Sequence, residues 1–361
     1  RGANRASDDG GKGGMTAQPG EVVSSVSRVL VPIVLALVVG GLILLALGKD
    51  PLAYYDYVLQ RGLFSWSGFQ QTVIRSAPLL LIASGLIVAF RAGIWNLGVD
   101  GQFLLAAVAA AALAPLLITS LPSWLTIVIC CAVSILVAMA WSLVPAFLKA
   151  QYGLNEIVTT LMMTFLGISF ANVLVKLPFD DPDNSVPQTM TLPVADRLGR
   201  LFDTTIHSGI IIALLAVFAV HFVMTRTAFG LRLQIVGANP RAAKHAGMSV
   251  GRLTYATFAL SAGLAGLGGA VEILGVWGTM RADWNPAYGL LVVPLVFLAR
   301  FNGIAVIGFT LFFAILMIGG ESASRRLGVP NFYVLVLVAL LLIFLALVEY
   351  LDHISRQRKK A

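Results

Sequence analysis

The chain contains few charged residues. Of its 361 residues, 12% are charged and 58% are hydrophobic, and the mean hydropathy is +0.89. Water-soluble domains carry about 25% charged residues. A soluble fold could not bury this much apolar surface, so the composition excludes a soluble domain. It predicts instead a protein that crosses a membrane many times.

The residues that catalysis and metal binding require are also scarce. Cys130 and Cys131 are adjacent within an apolar run, where neighbouring helical side chains point apart. We therefore expect neither a disulfide nor a metal site there, but ordinary buried packing. The four histidines are scattered, and the sequence has no HExxH pattern and no GxxxxGK[ST] phosphate loop. These absences predict a protein that is not an enzyme and holds no cofactor of its own.

The formal net charge is +8, but the basic residues lie between apolar runs rather than in one cluster. Such a distribution sets the orientation of a membrane protein, so we expect membrane lipid and no nucleic acid as a partner. The loops with Arg91, Lys149, residues 226–252 and Arg300 fall on one side, which we predict to be cytoplasmic together with both chain termini. Most acidic loops, including the longest at 179–207, fall on the other side. Five arginines on the outer side count against this orientation: Arg197, Arg200, Arg281, Arg325 and Arg326.

The apolar runs predict an all-α polytopic transmembrane helix bundle. A span needs about 20 apolar residues, and about ten segments meet that criterion, with nine or eleven as alternatives. They are 29–48, 73–90, 97–119, 124–148, 156–178, 208–224, 252–275, 286–299, 303–320 and 331–350. Because 286–299 is short and contains Pro286 and Pro294, we expect it to be broken or re-entrant and buried in protein. Residues 1–20 are predicted to be disordered, 21–355 to form the membrane domain and 356–361 a basic cytoplasmic tail.

The polar segment 229–252 separates two long apolar runs and carries signals for a short helix. Asn239 can cap the helix, Pro240 suits its first position, and Gly247 can end it. A helix of about two turns would place Ala242, Ala243 and Ala246 on one face and Arg241, Lys244 and His245 on another. A capped helix with a small-residue face predicts contact with another molecule.

Two further segments bring polar groups into apolar surroundings. In residues 91–102, Gly93, Gly98 and Gly101 permit tight turns, and Asn96, Asp100 and Gln102 need hydrogen-bond partners. Chemistry alone fits a polar reverse turn equally well. In residues 152–163, Asn155 can cap a helix that has Glu156 in its first turn. An ordinary capped helix start explains that segment by chemistry alone.

Charged residues inside the spans are candidates for function because burying charge in lipid is costly. Glu272 lies near the outer end of its span and either lines a pathway or sits at headgroup level. Arg75 lies at an outer span end, where we expect it to extend to the interface. Trp277 and Trp284 either stack on a solute or anchor helices at the interface. No series of titratable residues crosses the bilayer, which argues against an ion-coupled relay.

The three polar segments together resemble the permease subunits of ABC importers of the branched-chain amino acid, simple sugar and nucleoside group. The resemblance rests on WNLGVDGQ at 95–102, LNEIVTTLMM at 154–163 and GLRLQIVGANPRAAKHAGMSV at 230–250. Trp95 and Asp100 depart from the Phe and Glu that are more usual there, which are mild changes.

The resemblance implies a multi-pass permease of the plasma (inner) membrane that moves a small polar solute into the cell by alternating access. It implies three partners: an ABC ATPase subunit that holds ATP and Mg, an extracytoplasmic solute-binding protein, and a second permease, expected to be a different chain. Nucleosides are favoured as the solute, with simple sugars next. The coupling loop that docks on the ATPase would comprise Gly230, Asn239, Pro240, Arg241, Ala242, Ala243, Lys244 and Gly247. The family motif would comprise Asn96, Gly98, Asp100, Gly101, Gln102, Asn155 and Glu156.

The alternative is a secondary transporter or channel for a small polar solute that works without an ATPase. That class predicts inverted repeats, broken helices at the bilayer midplane and titratable coupling residues. Of these, the sequence offers only the segment 286–299 and Glu272. Glu272 and Trp277 remain candidates for the translocation pathway under either hypothesis.

Overall fold

The computed structural model describes residues 19–330 and 332–358. Most of the predicted disordered segment, residues 1–18, and the end of the predicted basic tail, residues 359–361, lie outside the described residues. Residues 19 and 20 open the first helix, and residues 356–358 end the last one.

Thirteen α-helices make up most of the described chain. They are α1 (Pro19–Ala46), α2 (Pro51–Leu59), α3 (Trp66–Arg91), α4 (Val99–Leu117), α5 (Ser123–Tyr152), α6 (Glu156–Lys176), α7 (Gly209–Arg226), α8 (Ala228–Ala238), α9 (Pro240–His245), α10 (Val250–Glu272), α11 (Tyr288–Leu298), α12 (Ala305–Leu327) and α13 (Tyr333–Arg358). Wider π-helical turns at Gln60–Phe64 and Ile273–Trp277 continue α2 and α10. The predicted all-α membrane bundle is confirmed.

Eight of these helices are long and apolar enough to cross a membrane: α3, α4, α5, α6, α7, α10, α12 and α13. Each of the ten predicted spans corresponds to a helix, but α1 and α11 offer shorter apolar lengths. Helix α2 was not predicted because its nine residues are too few for a span. Asp50 starts it by accepting hydrogen bonds from the N–H groups of Leu52 and Ala53.

Helix α10 lies at the centre of the bundle and packs against α3, α4 and α5. Its small residues allow this close packing. At Gly269, for example, a Cβ atom would lie 2.4 Å from the carbonyl oxygen of Phe103 in α4. Small residues let membrane helices approach until their backbones touch. The glycine-rich run of α10 is therefore explained by packing alone.

Helix α11 is a half-helix that begins inside the bundle. Its 11 residues span about 16 Å, half of a bilayer core of about 30 Å. The N–H of Gly289, in its first turn, donates to Asp100 Oδ1 at 2.6 Å. Gly101, which follows Asp100 in the chain, packs against Gly167 near the middle of α6. The segment is thus broken and largely buried in protein, as its two prolines predicted.

The long segment between α6 and α7 covers the C-terminal end of α10. Backbone hydrogen bonds join Thr189 to Met280, Leu192 to Gly278 and Leu198 to Leu274. Arg197 donates to the carbonyl oxygens of Leu192 and Val276. Arg197, one of the five arginines that count against the predicted orientation, therefore has a structural role. Its position is for that reason weaker evidence about orientation.

Candidate functional site

The predicted short helix in the loop 229–252 is present as α9. Asn239 caps it, because its Oδ1 accepts a hydrogen bond from the N–H of Ala242 at 3.0 Å. Gly247 ends it with a left-handed backbone, φ +79°. The N–H groups of Gly247 and Met248 then bond back to the carbonyls of Lys244 and Ala243. Both ends are fixed by local chemistry, which makes α9 a rigid projection despite its six residues.

The predicted single alanine face of α9 is wrong in one position. Ala243 is fully buried against its own chain, whereas Ala242 and Ala246 are exposed. Consecutive helical residues point about 100° apart. Ala243 therefore points to a different side from Ala242, and that side faces the bundle. The surface open to another molecule consists of Ala242 and Ala246 together with Arg241, Lys244 and His245.

Helix α8 joins α9 to the bundle through two glycines. A Cβ atom on Gly230 would lie 2.3 Å from the carbonyl oxygen of Val223 in α7. A Cβ atom on Gly237 would lie 2.5 Å from the carbonyl oxygen of Arg91, at the end of α3. Gly237 was missed at the level of sequence, where nothing distinguishes it from a glycine in a flexible loop. Gly237 therefore places α8 directly against the turn between α3 and α4.

That turn carries the first part of the predicted family motif. Asn96 is fully buried, and its Nδ2 donates to Gln102 Oε1 and to Ser261 Oγ of α10, both at 3.0 Å. Its Oδ1 accepts from the N–H of Gly98 at 3.1 Å. The prediction that these polar groups need partners is confirmed.

Asp100 caps a helix other than its own. Its carboxylate is buried and accepts from the N–H of Gly289 in the first turn of α11. The sequence predicted that Asp100 needs a hydrogen-bond partner but did not identify that partner. The structure assigns Asp100 to the half-helix, whose free N–H groups would otherwise be buried without partners.

The second motif segment contacts the first. Asn155 caps α6 by accepting from the N–H of Ile157 at 2.9 Å, and Glu156 pairs with Lys149 at 2.6 Å. Thr160 and Thr164 lie one and two turns further along α6. Thr160 accepts from the N–H of Leu97, and Thr164 donates to the carbonyl of Leu97. The three motif segments therefore form one connected unit.

Glu272, a predicted pathway residue, is only 1% exposed in this conformation. Its Oε1 accepts from Trp277 Nε1 at 3.0 Å and from the Tyr288 hydroxyl at 3.1 Å, and it lies 3.5 Å from Arg75 Nη1. Arg75 also donates to the Tyr288 hydroxyl. Arg75 was expected to extend to the interface, but the buried carboxylate holds it inside. These four residues tie together α3, the end of α10 and the start of α11.

Trp277, the other predicted pathway residue, is 40% exposed. Its ring meets that of Trp284 edge to face, with the centroids 6.0 Å apart. The described residues include no group of three or more His, Cys, Asp or Glu side chains able to hold a metal ion.

Comparison with known proteins matches residues 68–346 to the family described as "Branched-chain amino acid transport system / permease component". The chain belongs to this family. The permease is 33% identical to the glucose ABC transporter permease protein TsgB13 of Haloferax volcanii, over 87% of this chain and 85% of that one. It is 26% identical to the nucleoside ABC transporter permease protein NupB of Lactococcus lactis, over 92% and 94% of the two chains. It is 27% identical to the guanosine ABC transporter permease protein NupP of Bacillus subtilis, over 90% and 95%.

The family membership confirms the resemblance inferred from the three motif segments. The permease is a multi-pass membrane component of an ABC transporter and not an enzyme. Its motif residues bond to one another and to the helices around them.

Proposed function

We propose that the permease is the membrane-spanning subunit of an ATP-driven importer and is driven by a separate ATPase subunit that grips α9. The observation that carries the proposal is α9 itself, an exposed helix fixed at both ends. It presents Arg241, Ala242, Lys244, His245 and Ala246 to its surroundings. A rigid projection of this kind can receive a push without absorbing it. ATP and Mg would belong to the partner, which fits the missing phosphate loop.

A continuous set of contacts leads from α9 into the bundle. Gly237 of α8 lies against the backbone of Arg91 and Gly93. Arg91 donates to the carbonyl of Phe301 beyond the end of α11, at 3.0 Å. Asp100 holds the other end of α11. Displacement of α9 would therefore reach both ends of the half-helix, and alternating access would follow from its movement with the turn 92–98.

The charge distribution supports a cytoplasmic position for α9. Arg91, Arg226, Arg252 and Arg300 lie at helix ends on its side of the bundle, as the positive-inside rule requires of cytoplasmic loops. We propose that both chain termini also lie in the cytoplasm and that the membrane is the plasma (inner) membrane.

The proposed assembly contains two further proteins. A solute-binding protein would dock on the outer surface formed by the segment 177–208 and residues 278–284. A second permease, a different chain, would complete the pathway.

The proposed solute is a small polar molecule that contains a sugar ring. The names of the three relatives give glucose, nucleosides and guanosine, each of which contains a sugar ring. Nucleosides were favoured from the sequence, but the glucose permease is the most similar of the three. We therefore propose the wider class of nucleosides and simple sugars, to be resolved by binding of both to the cognate solute-binding protein.

The coupling role is tested by Gly247→Val. A residue with a Cβ atom pays about 1–2 kcal/mol to adopt a left-handed backbone. This cost lowers the population of the correctly ended α9 about tenfold. We expect ATP-dependent uptake and co-purification of the ATPase to fall, while the permease still inserts into the membrane.

Gly251→Val is the matched control. Gly251 lies four residues further along, and a Cβ atom there would meet nothing within 4 Å on a backbone without positive φ. Its uptake should stay near that of the unmodified chain. Normal uptake by the Gly247→Val permease would remove α9 as the site of ATPase coupling.

A further inference from the structure

A non-helical part of the permease is exposed at the depth of the bilayer. Residues 279–287 connect the outer end of α10 to the start of α11 without helical structure. Asp283 and Asn285 are exposed within this connection, and Leu290 follows on α11 with 66% of its surface exposed. In this strip, residues 283–290, Asp283, Asn285 and Leu290 lie on the outside of the described bundle, whereas Tyr288 and Gly289 are buried.

Contacts with α6 establish how deep the strip lies. Near the outer end of α6, Asn172 Oδ1 accepts from the N–H of Asp283, and Lys176 pairs with Asp283 at 2.9 Å. Asn285 lines a cavity with Phe165 and Ile168, near the middle of α6. The strip therefore descends from the outer interface to the bilayer midplane.

Lipid cannot cover such a strip. Irregular backbone within the hydrocarbon region is tolerated only where it is buried in protein or lines a water-filled cavity. In addition, Asn285 uses its Oδ1 to accept from the N–H of Ala287, but its Nδ2 has no partner among the described residues. Transfer of an amide from water to cyclohexane, where it has no hydrogen-bond partner, costs about 4–8 kcal/mol. An unpartnered amide that faces hydrocarbon carries a cost of this kind.

The adjoining cavity is somewhat smaller than a complete ligand pocket and has a mostly apolar lining. Its volume is about 260 Å³, and its lining includes Asp100, Thr164 and Asn285 among apolar side chains. Complete ligand pockets measure about 300–1,000 Å³ and combine an apolar wall with a few polar groups. A second bundle facing this wall would complete the volume.

We propose that residues 285–290, with Thr164 and Phe165 of α6, form one wall of the solute pathway at mid-membrane, and that Asn285 binds hydroxyl groups of the solute. The inference rests on the proposed function and adds the location of the pathway. The exposed side of the wall lies beside α6, whereas Tyr288 of the same stretch is buried and bonds to Glu272. Asp100 supports it from behind by holding the first turn of α11, so the wall moves with the half-helix.

The test is thiol labelling of Asn285→Cys and Leu290→Cys in the assembled transporter, reconstituted in lipid vesicles. A charged, membrane-impermeant thiosulfonate reacts with thiols in water and not with those in lipid. We expect both cysteines to be modified at least about tenfold faster than the control. We also expect modification to block uptake, and the transported solute to slow modification of Asn285→Cys.

Leu215→Cys is the matched control, since Leu215 is 64% exposed near the middle of α7. Helix α7 packs on α3, whereas α6 packs on α4 and α5, so this cysteine lies elsewhere on the bundle. The native Cys130 is buried and Cys131 only partly exposed, and the unmodified chain gives their background.

Equal inertness of Asn285→Cys, Leu290→Cys and Leu215→Cys towards the charged reagent would overturn the proposed wall, provided that an apolar maleimide labels all three. If the unmodified transporter still takes up solute with ATP in that case, the proposed function stands and only the pathway is wrong. Loss of ATP dependence in the unmodified transporter would instead refute the function.

Discussion

At the scale of single residues, two buried polar groups of the family motif find partners far away in the chain. Asn96 bonds to Ser261, and Asp100 bonds to Gly289. Polar groups removed from water without partners are costly, so the sequence could predict that such partners exist. It could not identify them, because residue spacing within one segment contains no information about another.

The sequence likewise could not show that Glu272 pairs with Arg75. This pair gives a prediction about stability. Replacing either one by Met leaves the other charge buried without its partner, which typically costs about 3–5 kcal/mol. Replacing both by Met removes the two charges together and should cost much less than the two single changes combined. Thermal unfolding of the purified permease in detergent measures all three variants.

Additive losses in the double variant would show that the ion pair contributes nothing as a pair. Uptake adds a second reading, since Tyr288 at the start of α11 bonds to both residues. The double variant should insert normally yet transport poorly, because the half-helix loses an attachment.

At the scale of elements, local signals predicted helix ends well. Asn239, Pro240 and Gly247 delimit α9, and Asn155 starts α6, each through its own backbone neighbourhood. The burial of Ala243 was not predictable, because it depends on the side of α9 that faces α8 and α10. Local chemistry fixes where a helix begins, and packing fixes which side is hidden.

The outer segment between α6 and α7 ends at His207, which gives a prediction about pH. Burial lowers the pKa of His207 from 6.5 to about 4. Its Nδ1 accepts from the N–H of Gly209 at 3.1 Å, so the folded state requires the neutral ring. The unfolded chain binds the proton more readily between these values, and stability should therefore fall by about 3 kcal/mol as pH falls from about 6.5 to 4.

His207→Asn is the matched variant, since its side-chain oxygen can replace Nδ1 as the acceptor without titrating. Unfolding temperatures measured from pH 7.5 down to 4.5 should decline less for this variant than for the unmodified chain. Parallel declines would assign the acid sensitivity to other groups.

At the scale of the whole molecule, the two surfaces proposed to dock partners lie at opposite ends of the bundle. The α8–α9 unit adjoins the C-terminal ends of α3 and α7, whereas the segment 177–208 covers the C-terminal end of α10. The half-helix α11 lies between them and contacts groups connected to both. This separation is what a transporter driven from one side and supplied from the other requires.

Orientation is tested with two isosteric changes in intact cells, Ser185→Cys and Ser249→Cys. Both serines are exposed, one in the outer segment and one just after α9. An impermeant thiol reagent should label Ser185→Cys in intact cells and Ser249→Cys only after the membrane is opened. The reverse pattern would invert the proposed topology and place α9 out of reach of any cytoplasmic ATPase.

The sequence by itself determined the class of the permease, its helical spans, the broken segment near Pro286 and the capped helix α9. It also supplied the family resemblance, which the family match over residues 68–346 confirmed. These features depend on composition, on runs of apolar residues and on chemistry within a few residues of chain. Only the tertiary structure decided that Asp100 caps α11, that Gly237 meets Arg91, and that Glu272 is buried with Arg75. Each of these contacts joins segments whose proximity depends on how the helices pack.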